Sequence, residues 1–246
     1  MMAEVAEVYC GPPPTPASLA SAWNPDLLAL SLCIVLAALL AVRGARLWPA
    51  SLGLGLFILL FMSPLCALTV SLFAARAVHH VLLVAAVAPL LAMAIPADPS
   101  RRPVLSLGWL VGLHAAVFWL WHLPEVYDLA IRSSAGYWAM QLSLLGTGVL
   151  LWRRILAPGP AGPALLALFA TISQMGLLGA LLTFLRVPVY ASHLATTGAF
   201  GLTPVEDQQL AGLIMWVPAA LPYLAAALII IAGRLESAAT VERRPG

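Results

Sequence analysis

Imidazole, carboxylate, thioether and thiol are the side chains in this sequence that could do chemistry together. His79 and His80 are adjacent, at the start of an apolar run. His122 closes another run, and Glu125, Tyr127 and Asp128 follow it directly. His193 lies in a Thr-, Ser- and Gly-containing stretch, Glu206, Asp207 and Gln208 open the last apolar run, and Gln141 sits early in the fifth. Imidazole suits copper and zinc, while thioether and thiol ligands favour Cu(I). Met62 and Cys66 lie one turn apart, with Cys33 further upstream, as candidate soft donors. Neighbouring residues point about 100° apart on a helix, so one ion takes His79 or His80 but not both. There is no His-x-x-x-His and no Cys-x-x-Cys, so spacing alone is a weak sign of metal. Plain roles account for many of these groups. His122 and His193 suit the headgroup level, Cys33 and Cys66 suit apolar packing, and Glu206 suits a helix cap. With two of three cysteines inside apolar runs, no disulfide framework is expected.

The elements that position these groups follow from composition. Of 246 residues, 62% are hydrophobic and 9% charged, against about 25% charged in a soluble domain. The chain therefore reads as all-α, a polytopic membrane helix bundle in contact with the lipid bilayer. Seven apolar stretches are long enough to span, approximately 26–42, 51–73, 77–97, 104–122, 136–152, 163–185 and 207–233. Residues 1–24 read as a flexible Pro-rich tail without a signal peptide, and 25–246 as a single seven-helix domain. Thr203-Pro204-Val205-Glu206 reads as a capping box with proline at the first helical position. Pro218 and Pro222 should kink the helix that follows.

Orientation follows from the basic residues, all twelve of them arginine. Nine (Arg43, Arg46, Arg101, Arg102, Arg153, Arg154, Arg234, Arg243, Arg244) fall on one side and three (Arg76, Arg132, Arg186) on the other. This predicts the N-terminus outside and the C-terminus in the cytoplasm of a bacterial plasma membrane. His79, His80, His122, His193 and the acidic pair then gather at the outer face. His114 lies about 12 Å deeper than His122, where an ionisable group is a functional candidate.

Three stretches carry a family resemblance. They are Val78-His79-His80-Val81-Leu82-Leu83 with Ala88-Pro89-Leu90-Leu91, Trp119-Leu120-Trp121-His122-Leu123-Pro124-Glu125-Val126-Tyr127-Asp128, and Glu206-Asp207-Gln208-Gln209-Leu210-Ala211-Gly212-Leu213-Ile214-Met215-Trp216. Together they resemble the CtaG-like membrane assembly factors of aa-type cytochrome c oxidases. The resemblance implies a non-enzymatic role in building the oxidase, with its membrane subunits as partners and copper, as Cu(I), as the group handled. On that reading His80 and His122, with His79, Asp207 and His193, are the metal candidates. Glu125, Tyr127, Asp128, Gln141, Glu206, Gln208 and Trp216 are partner or structural candidates. Two departures stand out. The family's third helix carries histidine and glutamine where this chain has Arg76 and His79, and its fifth carries His-x-x-Glu-His where this chain has Tyr137, Met140 and Gln141. A fixed charge at Arg76 disfavours a cation beside it.

Composition and motifs bound the other classes. A net charge of +2 gives no reason to expect nucleic acid. No nucleophile elbow, Walker loop, dinucleotide fingerprint or zincin motif is present. The chief alternative is a metal-free scaffold or accessory subunit of a respiratory oxidase. A haem-b electron carrier would need a second histidine at the depth of His114, and none is evident.

Overall fold

A computed structural model describes residues 8–96 and 105–242. Residues 1–7, Arg101, Arg102, Arg243 and Arg244 lie outside the described residues. Every regular element among those described is helical: α1 (Leu27–Val42), α2 (Leu47–Met62), α3 (Pro64–Ser71), α4 (Phe73–Leu82), α5 (Ala88–Ala94), α6 (Leu107–His122), α7 (Pro124–Ile131), α8 (Ser134–Ile155), α9 (Ala161–Phe184), α10 (Pro204–Trp216) and α11 (Leu221–Glu242).

Among the described residues each of the seven apolar stretches is largely helical, but several are broken. Ser63 caps a new helix by accepting from Leu65 N–H, and Pro64 starts it, so α2 and α3 meet at a bend of 50°. Pro124 does the same between α6 and α7, which bend by 76°. Proline cannot donate to the preceding turn but is preorganised for the first turn of a new helix. Pro218 likewise opens a short 3-10 turn between α10 and α11. Three described helices are long and apolar enough to cross a membrane, and up to five if each bent pair is one span; α1 is a shorter apolar helix.

Phe73–Ala94 is the most enclosed of these helices. It packs against α2, α3, α8 and α10. Within it, residues Leu83–Val87 form a π turn, with Ala88 N–H reaching back to Leu83 O. Pro89 has no N–H to continue that pattern, which would have used Val84 O. The Trp152 indole N–H donates to Val84 O instead, at 2.9 Å. A helix backbone in an apolar surrounding must be satisfied somehow, and here another helix does it.

α9 and α10 touch backbone to backbone. A Cβ at Gly179 would sit 2.7 Å from Gly212 O, and one at Gly212 would sit 2.5 Å from Gly179 O. Only glycine permits this approach, the small-residue packing typical of apolar helix pairs.

Two expectations need correction. From residue 8 onward, the stretch expected to be a flexible tail is packed on the bundle. Tyr9 stacks on Tyr137 at 4.1 Å, Ser71 Oγ donates to Pro14 O at 2.9 Å, and Asn24 N–H donates to Met62 O at 3.0 Å. Cys10 and Cys66 form a disulfide, where none was expected. The reason is the break at Ser63-Pro64. It ends the second span early and brings Cys66 to the turn over which the N-terminal segment folds.

Candidate functional site

α4 carries the centre of the polar end. Its first N–H groups have no local cap, since Leu72 offers no side-chain acceptor. Asp207, from α10, supplies one: Phe73 N–H donates to Oδ2 at 2.7 Å and Ala74 N–H to Oδ1 at 3.0 Å. A carboxylate at a helix N-terminus is favoured by both hydrogen bonding and the dipole. This employs both oxygens of Asp207 and accounts for its burial without a metal.

His79 and His80 then point to different sides. His79 is fully buried against Phe61, edge to face at 5.0 Å, and neither ring nitrogen has a hydrogen-bond partner. Around it lie Tyr137, Trp138 and Tyr9, stacked or edge-on to one another and to Phe61. Arg76, one turn earlier, is 1% exposed, with its guanidinium carbon 5.2 Å from the Tyr137 ring centre. Nη2 reaches Thr69 O at 3.4 Å, while Nε and Nη1 have no hydrogen-bond partner. This arginine was expected at an outer helix end; it is instead inside, held by a cation–π contact.

His80 faces α6 and α8. Its ring centre is 5.9 Å from that of His122, at 80°. Gln141, from α8, lies 3.2 Å from His80 Nε2. His122 Nδ1 is 2.7 Å from Phe118 O, one turn back, so that nitrogen carries the proton and Nε2 carries the lone pair. Beside these rings is a cavity of about 10 Å³, lined by His80, His122, Phe118, Leu144, Met175 and Met215 among others. That is about the room one water molecule needs.

α7 and the loop before α10 are tied to this end by polar contacts. Tyr127 Oη and His193 Nε2 are 2.8 Å apart. Asp128 accepts from Ala191 N–H at 3.1 Å, Ser192 N–H at 3.2 Å and Ser192 Oγ–H at 2.5 Å. Tyr190 Oη donates to His122 O at 2.9 Å. Gln208 accepts from Val189 N–H at 2.9 Å and donates to Val187 O at 3.2 Å. Tyr127, Asp128 and Gln208 thus brace the loop before α10. His193 lies in that loop, and burial first and the Arg76 guanidinium second hold its imidazole down at about 4.

Of the remaining sequence candidates, Glu206 completes the capping box with Thr203 and is exposed. Glu125 is exposed in the first turn of α7. Trp216 covers Gly176 and packs edge-on to Phe184 at 6.1 Å. Cys66 is bonded to Cys10, so it offers no thiol to pair with Met62. His114 Nδ1 is 2.9 Å from Thr147 Oγ1. Among the described residues, no group of three or more His, Cys, Asp or Glu side chains could hold a metal ion. The five residues expected around copper therefore share one end of the bundle without converging on one point. Met175, Met215 and Tyr137 were not among them. Methionine in an apolar helix reads as core, and its partners lie on other helices.

No curated protein and no solved structure matches this chain. A family model described as cytochrome c oxidase caa3 assembly factor (Caa3_CtaG) matches residues 34–237, most of the chain, and the protein belongs to that family.

Proposed function

We propose that this assembly factor helps to insert or position copper in cytochrome c oxidase at the outer face of a bacterial plasma membrane. The observation that carries the proposal is the His80–His122 pair. Both rings are buried, their centres are 5.9 Å apart, and each keeps one nitrogen without a hydrogen-bond partner, Nδ1 of His80 and Nε2 of His122. Metal–imidazole bonds of about 2 Å, plus roughly 1.2 Å from nitrogen to ring centre, let two rings share one ion up to ~6.4 Å apart. The role is non-catalytic, and the oxidase's membrane subunits are the partners.

Seven spans with the N-terminus outside complete the proposal. The Cys10–Cys66 disulfide supports this orientation, because disulfides persist in oxidising compartments. So does the far end of the bundle. There Arg46 N–H donates to Ala94 O at 2.9 Å and the Arg234 guanidinium donates to Gly159 O, each contact joining two segments assigned to the cytoplasmic side.

A second reading, a metal-free scaffold, is favoured by the broad apolar exterior. α11 turns Leu221, Leu224, Leu228, Ile229 and Leu235 outward, a face for lipid or for oxidase helices. Copper in the oxidase separates the two. Cells carrying His80→Ala and His122→Ala should make oxidase depleted of copper; oxidase with normal copper would leave the scaffold.

A further inference from the structure

We infer that the Cys10–Cys66 disulfide is the oxidised form of a two-thiolate site for a soft monovalent cation, Cu(I), opened by reduction. The site shares the copper reading above but no residue with it. With the disulfide closed the sulfurs are no ligands, and uptake by the chain as purified belongs to His80 and His122.

The surroundings of the two sulfurs carry the inference. Cys66 lies near the start of α3 and Cys10 in the segment folded over it, and both are buried. The Tyr137 hydroxyl is 3.9 Å from Cys10 Sγ and 4.0 Å from Cys66 Sγ, and Asn24 Nδ2 is 3.7 Å from Cys66 Sγ. Neither bonded sulfur carries a proton, so the hydroxyl and the amide are the donors. The Tyr137 ring also receives the Arg76 guanidinium, whose Nε and Nη1 have no hydrogen-bond partner. The carboxylates at this end are engaged elsewhere, Asp207 on α4 and Asp128 on the loop before α10. A disulfide is uncharged and its sulfur a weak acceptor, so a plain staple has no use for these donors or for a buried cation. A pair of thiolates uses both.

Opening the site requires an external dithiol. Its thiolate attacks, the Cys10–Cys66 bond breaks, the external pair leaves as a disulfide, and two electrons and two protons pass to the cysteines. Binding of Cu(I) then forms two S–Cu bonds and releases both thiol protons. The two Cα atoms are 5.4 Å apart, so rotation about the Cα–Cβ bonds parts the sulfurs around one ion. Two thiolates and one Cu(I) sum to a single negative charge, which the permanently charged Arg76 offsets. Soft thiolates favour Cu(I) and zinc, but zinc takes four ligands. Among the described residues no third His, Cys, Asp or Glu completes a metal-holding group. The pair therefore suits the ion that is content with two.

The test uses the full chain purified in detergent with its disulfide closed, as wild type and with His80→Ala and His122→Ala. Each is titrated without oxygen with Cu(I) against a competing chelator, and with Ag(I) as a redox-silent probe. The titrations are run before and after treatment with a dithiol that is then removed, and alkylation read by mass shows whether Cys10 and Cys66 are free. The expected result is that reduction adds one ion per chain in both proteins, with two sulfur scatterers in the X-ray absorption spectrum. Cys10→Ser with Cys66→Ser should gain no ion from the same treatment. Reduced Arg76→Gln should hold the added ion about tenfold more weakly. A disulfide that resists the dithiol in the folded chain, a reduced chain that gains no ion, or an added ion that persists in the cysteine variant would each overturn the inference. Reduced Arg76→Gln binding as tightly as wild type would overturn the part given to that charge. The copper reading is judged separately, by the copper content of oxidase made in cells carrying His80→Ala and His122→Ala.

Discussion

His79 and His80 are neighbours in sequence, yet α4 delivers them to two different surroundings. On the His79 side lie Phe61, Trp138, Tyr137, Tyr9 and a disulfide, an aromatic wall closed by the N-terminal segment. On the His80 side lie a second histidine, a glutamine amide and a small cavity with two methionines. The same side chain is thus a packing residue on one side and a ligand candidate on the other. What differs is the room beside the ring and the donors that reach it from other helices.

Separate substitutions break this contrast most sharply. His80→Ala with His122→Ala should abolish Cu(I) uptake by the purified chain, while His79→Leu should leave it within about twofold, since ligand loss far exceeds an indirect effect. Equal losses from both would erase the difference between the two sides. Next in size is the wall itself. Cys10→Ser with Cys66→Ser should lower stability by about 2–4 kcal/mol, as for other native disulfides, read as an earlier thermal transition in detergent with Cu(I) affinity kept. Asp207→Asn should cost about 1–2 kcal/mol by weakening the cap on α4. It should also loosen Cu(I) binding slightly, because His80 rides on that helix.

The last effect is a pH dependence, seen only in acid. His193 is held near 4, below the usual 6.5, so the folded chain disfavours its proton. That stability is complete above about 6.5 and is lost as pH falls toward 4, up to about 3 kcal/mol. His193→Gln should flatten thermal stability over that window. A curve unchanged by the substitution would mean that His193 is not part of the enclosed polar end.

Much of this was legible in the sequence where the signal is local. The Thr203 capping box with Pro204 behind it forms as read, and so does the break at Pro218. The angle between His79 and His80 follows from helix geometry alone. What the sequence hid depends on distant partners. Ser63-Pro64 looked like the middle of one span, so Cys66 looked like a packing residue out of reach of Cys10, and Cys10 looked loose. Arg76 looked like a boundary charge because nothing local reveals the Tyr137 ring that receives it. Met175 and Met215 look like any other core methionines until α9 and α10 are brought together at Gly179 and Gly212. Asp207 was read as a metal candidate because its two N–H donors lie on another helix.

That last contact has a consequence for biosynthesis. The N–H groups of Phe73 and Ala74 meet Asp207 across 134 and 133 residues of chain. As the ribosome feeds the protein into the bilayer, the histidine-bearing helix arrives long before its cap. Its first turn stays unsatisfied, at a cost in an apolar medium, until α10 is inserted. The same late helix brings Met215. A nascent chain stopped before residue 204 would hold both histidines and still leave the helix of His80 uncapped, so the last major insertion is the one that locks this end of the bundle.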